Sequence, residues 1–235
     1  MSNSYFKFKQ FTVFQDKCAM KVGTDGVLLG AWVSVDKAKR VLDVGTGTGL
    51  IALQLAQRNP QAEVVAIEID SITAAQASTN VSGSPWPDRI EVVCHDFQRY
   101  SPEEKFDLIV SNPPYFTDAL KCPDEQRRMA RHADSLNYFS FFQQSARLLY
   151  EHGAVSIVIP SEAERIVTNA AWNYKLFPLR RLQVFTKLGK PCRRILLTFG
   201  FQEGKCIEET LCIETEHYRY TAEYIALTKD FYLKM

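Results

Sequence analysis

The stretch VLDVGTGTG, at residues 41–49, joins a short apolar run to three glycines at alternating positions. The apolar run predicts a buried strand, and Leu50, Ile51 and Leu53 after it predict the start of a helix. Glycines in such a turn let the backbone approach a ligand without a clash at Cβ, and the first turn of the helix offers unpaired N–H groups. The stretch therefore predicts a strand–turn–helix unit that either binds a ligand or serves close packing alone.

Similar units follow along the chain. Further apolar runs predict strands at 63–69, 90–94, 106–111, 154–159, 180–187 and 193–201, and helices are predicted at 50–58, 72–80, 137–150, 161–173 and 221–232. This alternation indicates an α/β fold, a doubly wound, mostly parallel sheet of about seven strands with an antiparallel edge, because the last two strands have a short connection. We expect a single domain over residues 1–235, with 1–40 as an N-terminal cap over the ligand side and 41–235 as a Rossmann-like core.

The composition is that of an ordinary globular protein. The 235 residues are 46% hydrophobic and 23% charged, and the net charge of +1 does not by itself identify a polyanionic partner. The N-terminus lacks the features of a signal peptide, and no apolar run approaches the ~18 residues of a membrane span. We therefore expect a cytoplasmic protein with no membrane contact and, from the spacing of its cysteines and histidines, reduced thiols and no metal.

An acid closes the strand that follows the glycine turn. Glu68 lies where a carboxylate can accept both hydroxyls of a ribose, about 20 residues beyond the turn. Asp70 points to the same face by the alternation of a strand, and we assign Glu68 to the ribose and Asp70 to a helix N-cap or a supporting role. The Gly-x-Gly-x-Gly spacing differs from the Gly-x-Gly-x-x-Gly of dinucleotide sites. The pattern favours a nucleoside cofactor over a turn that serves packing alone.

The glycine turn with its preceding Asp43 resembles the first motif of class I methyltransferases, which bind S-adenosylmethionine. The resemblance implies that Gly45, Gly47 and Gly49 line the cofactor and that Asp43 helps to orient its ammonium group. It also places adenine at the corner after the third strand, where Asp96 would accept from the amino group and Phe97 would pack against the ring. A helix-capping Asp and a core Phe are the alternative there.

The stretch Asn112-Pro113-Pro114-Tyr115 follows the fourth predicted strand and resembles the motif of amino-methyltransferases. The lone pair of an exocyclic amine is conjugated with the base, so two acceptors on its N–H bonds favour a pyramidal, nucleophilic nitrogen. The Asn112 side chain and the Pro113 carbonyl would be these acceptors, since proline fixes the direction of that carbonyl. Tyr115 would stack on the base and Phe116 would supply a wall. The alternative is a strand-ending turn with surface aromatics.

Two further stretches, residues 20–32 and Arg131-His132, complete a resemblance to the bacterial tRNA1(Val) adenine N6-methyltransferases over nearly the whole chain. These class I enzymes modify the adenosine 3′ of the anticodon. The resemblance implies a tRNA substrate, contacted by Arg131 and His132 among others. It also implies that Thr24 and Asp25 border the methionine end of the cofactor and that Lys21 reaches its carboxylate, although a solvated surface lysine is the alternative.

Basic residues gather in one part of the sequence. From Arg165 to Gln202 there is no Asp or Glu, and the next acids, at 203–216, are expected elsewhere on the surface. Segregated basic charge suits a polyanion, and the loop between the last two strands is our first choice of tRNA contact, through Lys187, Lys190, Arg193 and Arg194. The alternative is a set of solvated charges that deter edge pairing.

Other functions fit parts of this pattern. The Asn-Pro-Pro-Tyr chemistry also suits ribosomal RNA, DNA adenine or a protein glutamine, but the chain has neither a target-recognition domain of DNA-enzyme size nor a long N-terminal helical domain. A nicotinamide-dependent dehydrogenase would need a hydride partner that we cannot assign. A non-catalytic RNA-binding module would not need the intact motif. No obligate protein partner is evident.

Overall fold

The computed structural model describes residues 3–18, 20–113, 137–216 and 219–235. Five of the expected site residues lie outside these ranges, namely Pro114, Tyr115, Phe116, Arg131 and His132.

From residue 40 to residue 187 the strands alternate with helices or 3-10 turns, as predicted, and the three strands that follow have no described helix between them. The strands are β1 (Tyr5–Lys7), β2 (Thr12–Phe14), β3 (Arg40–Val44), β4 (Glu63–Glu68), β5 (Ile90–Cys94), β6 (Phe106–Ser111), β7 (Leu149–Pro160), β8 (Phe177–Lys187), β9 (Arg194–Gly200), β10 (Ile207–Glu216) and β11 (Arg219–Tyr220). The helices are α1 (Thr24–Trp32), α2 (Leu50–Arg58), α3 (Ser71–Ser82), α4 (Tyr138–Leu148), α5 (Glu164–Trp172) and α6 (Ala222–Thr228), with single 3-10 turns at 87–89, 97–99 and 161–163.

The main sheet contains nine of the described strands, in the order β11-β10-β8-β9-β7-β6-β3-β4-β5. Its centre is parallel, because β3 pairs in parallel with both β4 and β6. The direction of the chain along the sheet reverses at β3, so the carboxyl ends of β3 and β6 form the switch point at which α/β sheets bind ligands. The glycine turn follows β3 and Asn112 follows β6, which brings the two predicted motifs to one edge.

The predicted α/β fold is confirmed, and the sheet extends beyond the seven predicted strands. The antiparallel strand β9 pairs with β7 on one side and β8 on the other, so it lies inside the sheet and not at its edge. Strand β10 then adds in parallel to β8, and the short β11 adds to β10. The sequence of β10 mixes glutamates with Ile, Leu and Thr, and we did not recognise it as a strand.

The described part of the first 40 residues packs against the helical layer of the main sheet. Strands β1 and β2 form a separate hairpin, and Asn80 of α3 bonds both the N–H and the carbonyl of Phe14 at 2.8 and 2.9 Å. Helix α1 buries Val27, Leu28 and Leu29 in the core that lies on the α2 side of the sheet. The N-terminal segment thus contributes to the hydrophobic core, and its role as a cap over the ligand side stays a prediction.

The sheet is covered on both faces, which explains why its central strands are almost wholly apolar. Helices α1, α2 and α6 share one core cluster with the N-terminal hairpin. Helices α4 and α5 share the other cluster with alternate residues of the same strands. Among the described helices, none is both long enough and apolar enough to cross a membrane.

Candidate active site

The glycine turn after β3 adopts backbone angles that only glycine tolerates easily. Gly45 and Gly47 have φ of 68° and 57°, in the left-handed region. The N–H groups of Gly45 and Thr46 donate to the carbonyl of Ile67 at 2.9 and 3.0 Å, which holds the turn against the end of β4. A Cβ built on Gly45 would meet no atom of the described chain within 4 Å. Conformation, and not close packing, therefore requires glycine here, and the backbone is open to a ligand.

Asp43 is fully buried at the end of β3. Its Oδ2 accepts from the Thr46 hydroxyl at 2.6 Å and from the Ala52 amide at 3.1 Å, so it also ties the glycine turn to the start of α2. Its Oδ1 is buried and finds no donor among the described residues. Burial raises the pKa of Asp43 to about 7, although the bonds from Thr46 and Ala52 favour the ionised form. This carboxylate has one oxygen committed to the fold and one available to a donor.

The two acids at the end of β4, Glu68 and Asp70, make different contacts. Glu68 turns toward the glycine turn, where its Oε2 accepts from the Gly47 amide at 3.0 Å and its Oε1 accepts from the amides of Ile69 and Asp70 at 2.9 and 3.1 Å. Asp70 is the N-cap of α3 and accepts from the Thr73 amide at 2.8 Å. The predicted N-cap role of Asp70 is confirmed. Glu68 is held in place by backbone donors, and Oε2, with a single N–H bond, has the larger remaining capacity.

Asp96 and Phe97 follow β5 at the same edge. Asp96 accepts from the Gln98 amide at 2.9 Å and is the N-cap of a 3-10 turn. Phe97 is buried, with its ring centroid 5.6 Å from that of Phe141. Both side chains thus have the structural roles that formed the alternative to adenine binding, and their contact with adenine stays a prediction.

Asn112 and Pro113 continue directly from β6. The Ser111 hydroxyl donates to the Val44 carbonyl at 2.8 Å, which fixes the end of β6 to the end of β3. The side-chain oxygen of Asn112 is buried and finds no donor within the described chain. A buried amide oxygen without a donor costs ~1–3 kcal/mol, so the site presents an acceptor that no described residue satisfies.

Helix α1 brings a further part of the predicted site to Asn112. A Cβ built on Gly26 would lie 3.2 Å from Leu50 and 3.8 Å from the Asn112 amide nitrogen, so only a very small residue fits this contact. Lys21 and Thr24 are exposed at the start of the helix. Asp25 accepts from the Arg194 Nε at 2.8 Å, which joins α1 to the first residue of β9.

The prediction that the acidic residues at 203–216 lie on a different part of the surface from the basic residues before them is wrong. Because β10 runs parallel to β8, its glutamates lie directly beside the basic residues of β8. Arg180 contacts Glu209 at 2.9 Å, and Lys187 contacts Glu214 at 3.5 Å. The exposed basic residues of the predicted loop are Lys190 and Arg193. Of the four residues predicted to contact tRNA in this loop, Lys187 and Arg194 are therefore in ion pairs.

Sequence reasoning missed several residues that support the site. Thr46 and Ala52 donate hydrogen bonds to Asp43, and Ser111 donates to the Val44 carbonyl. Gly26 packs close to Asn112. The positions of Thr46, three residues after Asp43, and of Ser111, next to the motif, were available signals. The contact of Gly26 with Asn112 joins residues distant in sequence, so no local sequence signal predicts it.

Comparison with known proteins identifies the family of the chain. The family model of the methyltransferase small domain matches residues 18–170. A protein of Bacteroides thetaiotaomicron named tRNA1(Val) (adenine(37)-N6)-methyltransferase is 55% identical over 236 residues, which cover 100% of both chains. The chain belongs to the tRNA1(Val) (adenine(37)-N6)-methyltransferase family. A more distant member, from Haemophilus influenzae, is 44% identical and covers 98% of this chain and 99% of its own.

Solved structures resemble this family member in fold. A protein described as a predicted O-methyltransferase, from Agrobacterium tumefaciens, has a TM-score of 0.69 and 19% identity, and covers 88% of this chain and 96% of its own. The ribosomal protein L11 methylase of Lactobacillus delbrueckii subsp. bulgaricus has a TM-score of 0.59 and 18% identity over 81% of this chain and 84% of its own. Identities this low support the methyltransferase fold alone.

Proposed function

We propose that this protein transfers a methyl group from S-adenosylmethionine to the exocyclic N6 of the adenosine 3′ of the anticodon in tRNA1(Val). The relatives that carry this activity in their names match the chain from end to end. The single observation on the site that carries the proposal is the buried side-chain oxygen of Asn112, at the switch point beside the glycine turn, which receives no hydrogen bond from the described residues.

The residues around the glycine turn fit S-adenosylmethionine. When bound, this cofactor supplies a methyl group on a positively charged sulfur. The buried Oδ1 of Asp43 offers an acceptor for an ammonium group, and ionised Asp43 would stabilise that positive charge at low dielectric. Glu68 offers Oε2 to a ribose hydroxyl while its backbone bonds keep the carboxylate oriented. Gly45 and Gly47 keep the backbone accessible, whereas Gly49 is buried against Ala77 and is the N-cap of α2. Lys21 and Thr24 lie exposed just before and at the start of α1, where they can meet the carboxylate end.

The residues after β6 fit an exocyclic amine. The Asn112 side-chain oxygen accepts one N–H bond, and the Pro113 carbonyl, at a backbone angle that proline restricts, accepts the other. Together they favour a pyramidal nitrogen with its lone pair released from the ring. Asn112 and Pro113 do not need to remove a proton first, because the amine becomes acidic only once it has been methylated. Their contribution is orientation and charge stabilisation.

The substrate side of the site extends beyond the described residues. We propose that Tyr115 stacks on the target base beside Pro114, and that Phe116, Arg131 and His132 lie along the tRNA. Lys190 and Arg193 are exposed at the carboxyl edge of the sheet, where they can meet phosphates. This contact supplies affinity without reading the sequence of the RNA.

The experiment incubates the purified protein and S-adenosylmethionine labelled in its methyl group with total unmodified bacterial tRNA, with ribosomal RNA or with cell protein, in separate reactions. It then separates the labelled nucleosides and amino acids. The proposal predicts label in N6-methyladenosine. Label in N2-methylguanosine from ribosomal RNA, or in protein glutamine, with none in tRNA, would assign the same chemistry to another acceptor and contradict it.

A further inference from the structure

The ion pair between Arg194 and Asp25 joins the end of the loop between β8 and β9 to helix α1. Arg194 is the first residue of β9 and pairs across the sheet with Pro160, the last residue of β7. Its Nε donates to Asp25 Oδ2 at 2.8 Å, and its Nη1 donates to the Arg193 carbonyl at 2.9 Å. The side chains of Arg194 and Asp25 are only 31% and 23% exposed. These contacts orient the guanidinium and direct it toward α1.

The contact of Asp25 continues to the acceptor group of the site. Asp25 lies in the first turn of α1, and the next residue, Gly26, packs between Leu50 and the amide of Asn112. The first turn of α1 therefore lies against Asn112 on one side and is tied by Arg194 to the sheet on the other. An ion pair that is largely covered is less screened than an exposed one, so it can define this position.

The neighbouring basic residues have a different environment. Arg193 and Lys190 are exposed, and the backbone of this loop is tied to the end of β7 by the Ser161 hydroxyl, which donates to the Cys192 carbonyl at 2.9 Å. Arg193 and Arg194 are therefore neighbours in sequence with different environments. The side chain of Arg193 faces solvent, and that of Arg194 faces α1.

We propose that Arg194 is a positioning residue of the cofactor site, which acts through Asp25 on the first turn of α1, and is not a phosphate contact. This inference rests on the proposed function, since it assigns S-adenosylmethionine to the site beside α1. It divides the basic loop into Lys190 and Arg193, which face tRNA, and Arg194, which faces the cofactor pocket.

The test measures the dissociation constant of S-adenosylmethionine by calorimetry, without tRNA, for Arg194→Gln, Asp25→Asn and the double variant. Arg194→Gln should weaken cofactor binding by roughly threefold to tenfold. The double variant should be no weaker than Asp25→Asn alone, because the two residues act as one unit. Arg194→Lys, which keeps a cation near Asp25, should recover most of the affinity and guards against a Gln variant that fails to fold.

Arg193→Gln is the matched control. It should leave cofactor affinity unchanged while it weakens tRNA binding and lowers the salt dependence of that binding by about one unit of slope. Arg194→Gln should leave that slope unchanged. A normal cofactor affinity for Arg194→Gln, or a loss of slope equal to that of Arg193→Gln, would overturn the proposal. If the parent protein bound S-adenosylmethionine but methylated no tRNA, the proposed acceptor would be wrong, and the calorimetric comparison would still decide the role of Arg194.

Discussion

Two buried oxygens define the chemistry of this site at the scale of single residues. Asp43 Oδ1, at the end of β3, and Asn112 Oδ1, just after β6, have no donor in the described parts of the chain. Each would cost the fold ~1–3 kcal/mol if nothing ever bound to it. Both belong to adjacent strands that meet at the switch point. A donor-bearing cofactor and a donor-bearing base would together satisfy them, which is the arrangement that preorganised catalysis requires.

Asn112→Ala removes the acceptor that orients the amine. We expect the single-turnover rate of methyl transfer to fall by about a hundredfold or more, as for the loss of one preorganised polar group. The dissociation constant of S-adenosylmethionine should change much less, because Asp43 and Glu68 are intact. Rapid-quench measurement with labelled cofactor gives the rate, and equilibrium dialysis gives the affinity.

Asn169→Ala, at an exposed position on α5, is the control for the removal of an amide. It should transfer methyl groups at the parental rate. Equal rates for Asn112→Ala and the parent would remove our account of the motif.

The raised pKa of Asp43, about 7, predicts pH-dependent cofactor affinity. A bound cation favours the ionised carboxylate, so below the pKa binding must first release a proton, and affinity should fall as the pH drops through about 7. Asp43→Asn cannot titrate and should lose this dependence, while any titration of the cofactor's own amino group remains in both proteins. Calorimetry between pH 5.5 and 8.5, a range chosen on either side of the pKa, measures the difference. The same slope in both proteins would exclude Asp43 as its cause.

At the scale of elements, helix α1 shows what the sequence does not reveal. Two glycines, Gly26 and Gly30, lie within the nine helical residues of α1, and glycine disfavours the interior of a helix by ~1 kcal/mol each. Local propensity therefore argues against the helix that the structure contains. The glycines are required by neighbours that are distant in sequence, namely Asn112 and Leu50 at Gly26 and Gln54 at Gly30. Pairings of this kind are tertiary and cannot be obtained from local patterns.

Gly30→Ala tests the close approach of α1 and α2. A Cβ at this position would lie 2.7 Å from Cδ and 3.0 Å from Cβ of Gln54, a residue that is fully buried and donates to the Val27 carbonyl at 3.2 Å. We expect the free energy of unfolding to fall by ~1–3 kcal/mol from overpacking, even though alanine favours the helix. Urea denaturation measures the change.

Gly204→Ala is the matched control, because a Cβ there meets no described atom within 4 Å. Gly204→Ala should leave the free energy of unfolding unchanged. When Gln54 is also replaced by alanine, Gly30→Ala should cost less stability, because the side chain that crowds the new Cβ has been shortened. A Gly30→Ala protein as stable as the parent would show that the helices can separate without cost.

At the scale of the whole molecule, the sequence predicts the core better than the surface. Seven strands and the edge at which the motifs meet follow from apolar runs such as 41–45 and 106–111, because both faces of a parallel sheet are buried. Strand β10 was missed because its glutamates broke the apolar run. Its parallel pairing with β8 then neutralises Arg180 and Lys187 with Glu209 and Glu214. Charge that is segregated along a chain need not be segregated in space.

The consequence for tRNA binding is that, of the four basic residues predicted to contact tRNA between 187 and 194, two are in ion pairs and two are exposed. Lys190 and Arg193 remain exposed on the loop between β8 and β9, at the carboxyl edge that also carries Asn112. A tRNA bound there by its phosphates would need a nucleotide turned into the site to reach Asn112, since the motif acts on the edge of a base.

The most direct test of the central claim compares two transcripts of tRNA1(Val), one with the natural adenosine 3′ of the anticodon and one with guanosine at that position. Both are incubated with the protein and methyl-labelled S-adenosylmethionine, and the products are digested to nucleosides. Our account predicts N6-methyladenosine from the first transcript and no label from the second. Equal label in both transcripts, or label in any nucleoside other than N6-methyladenosine, would contradict it.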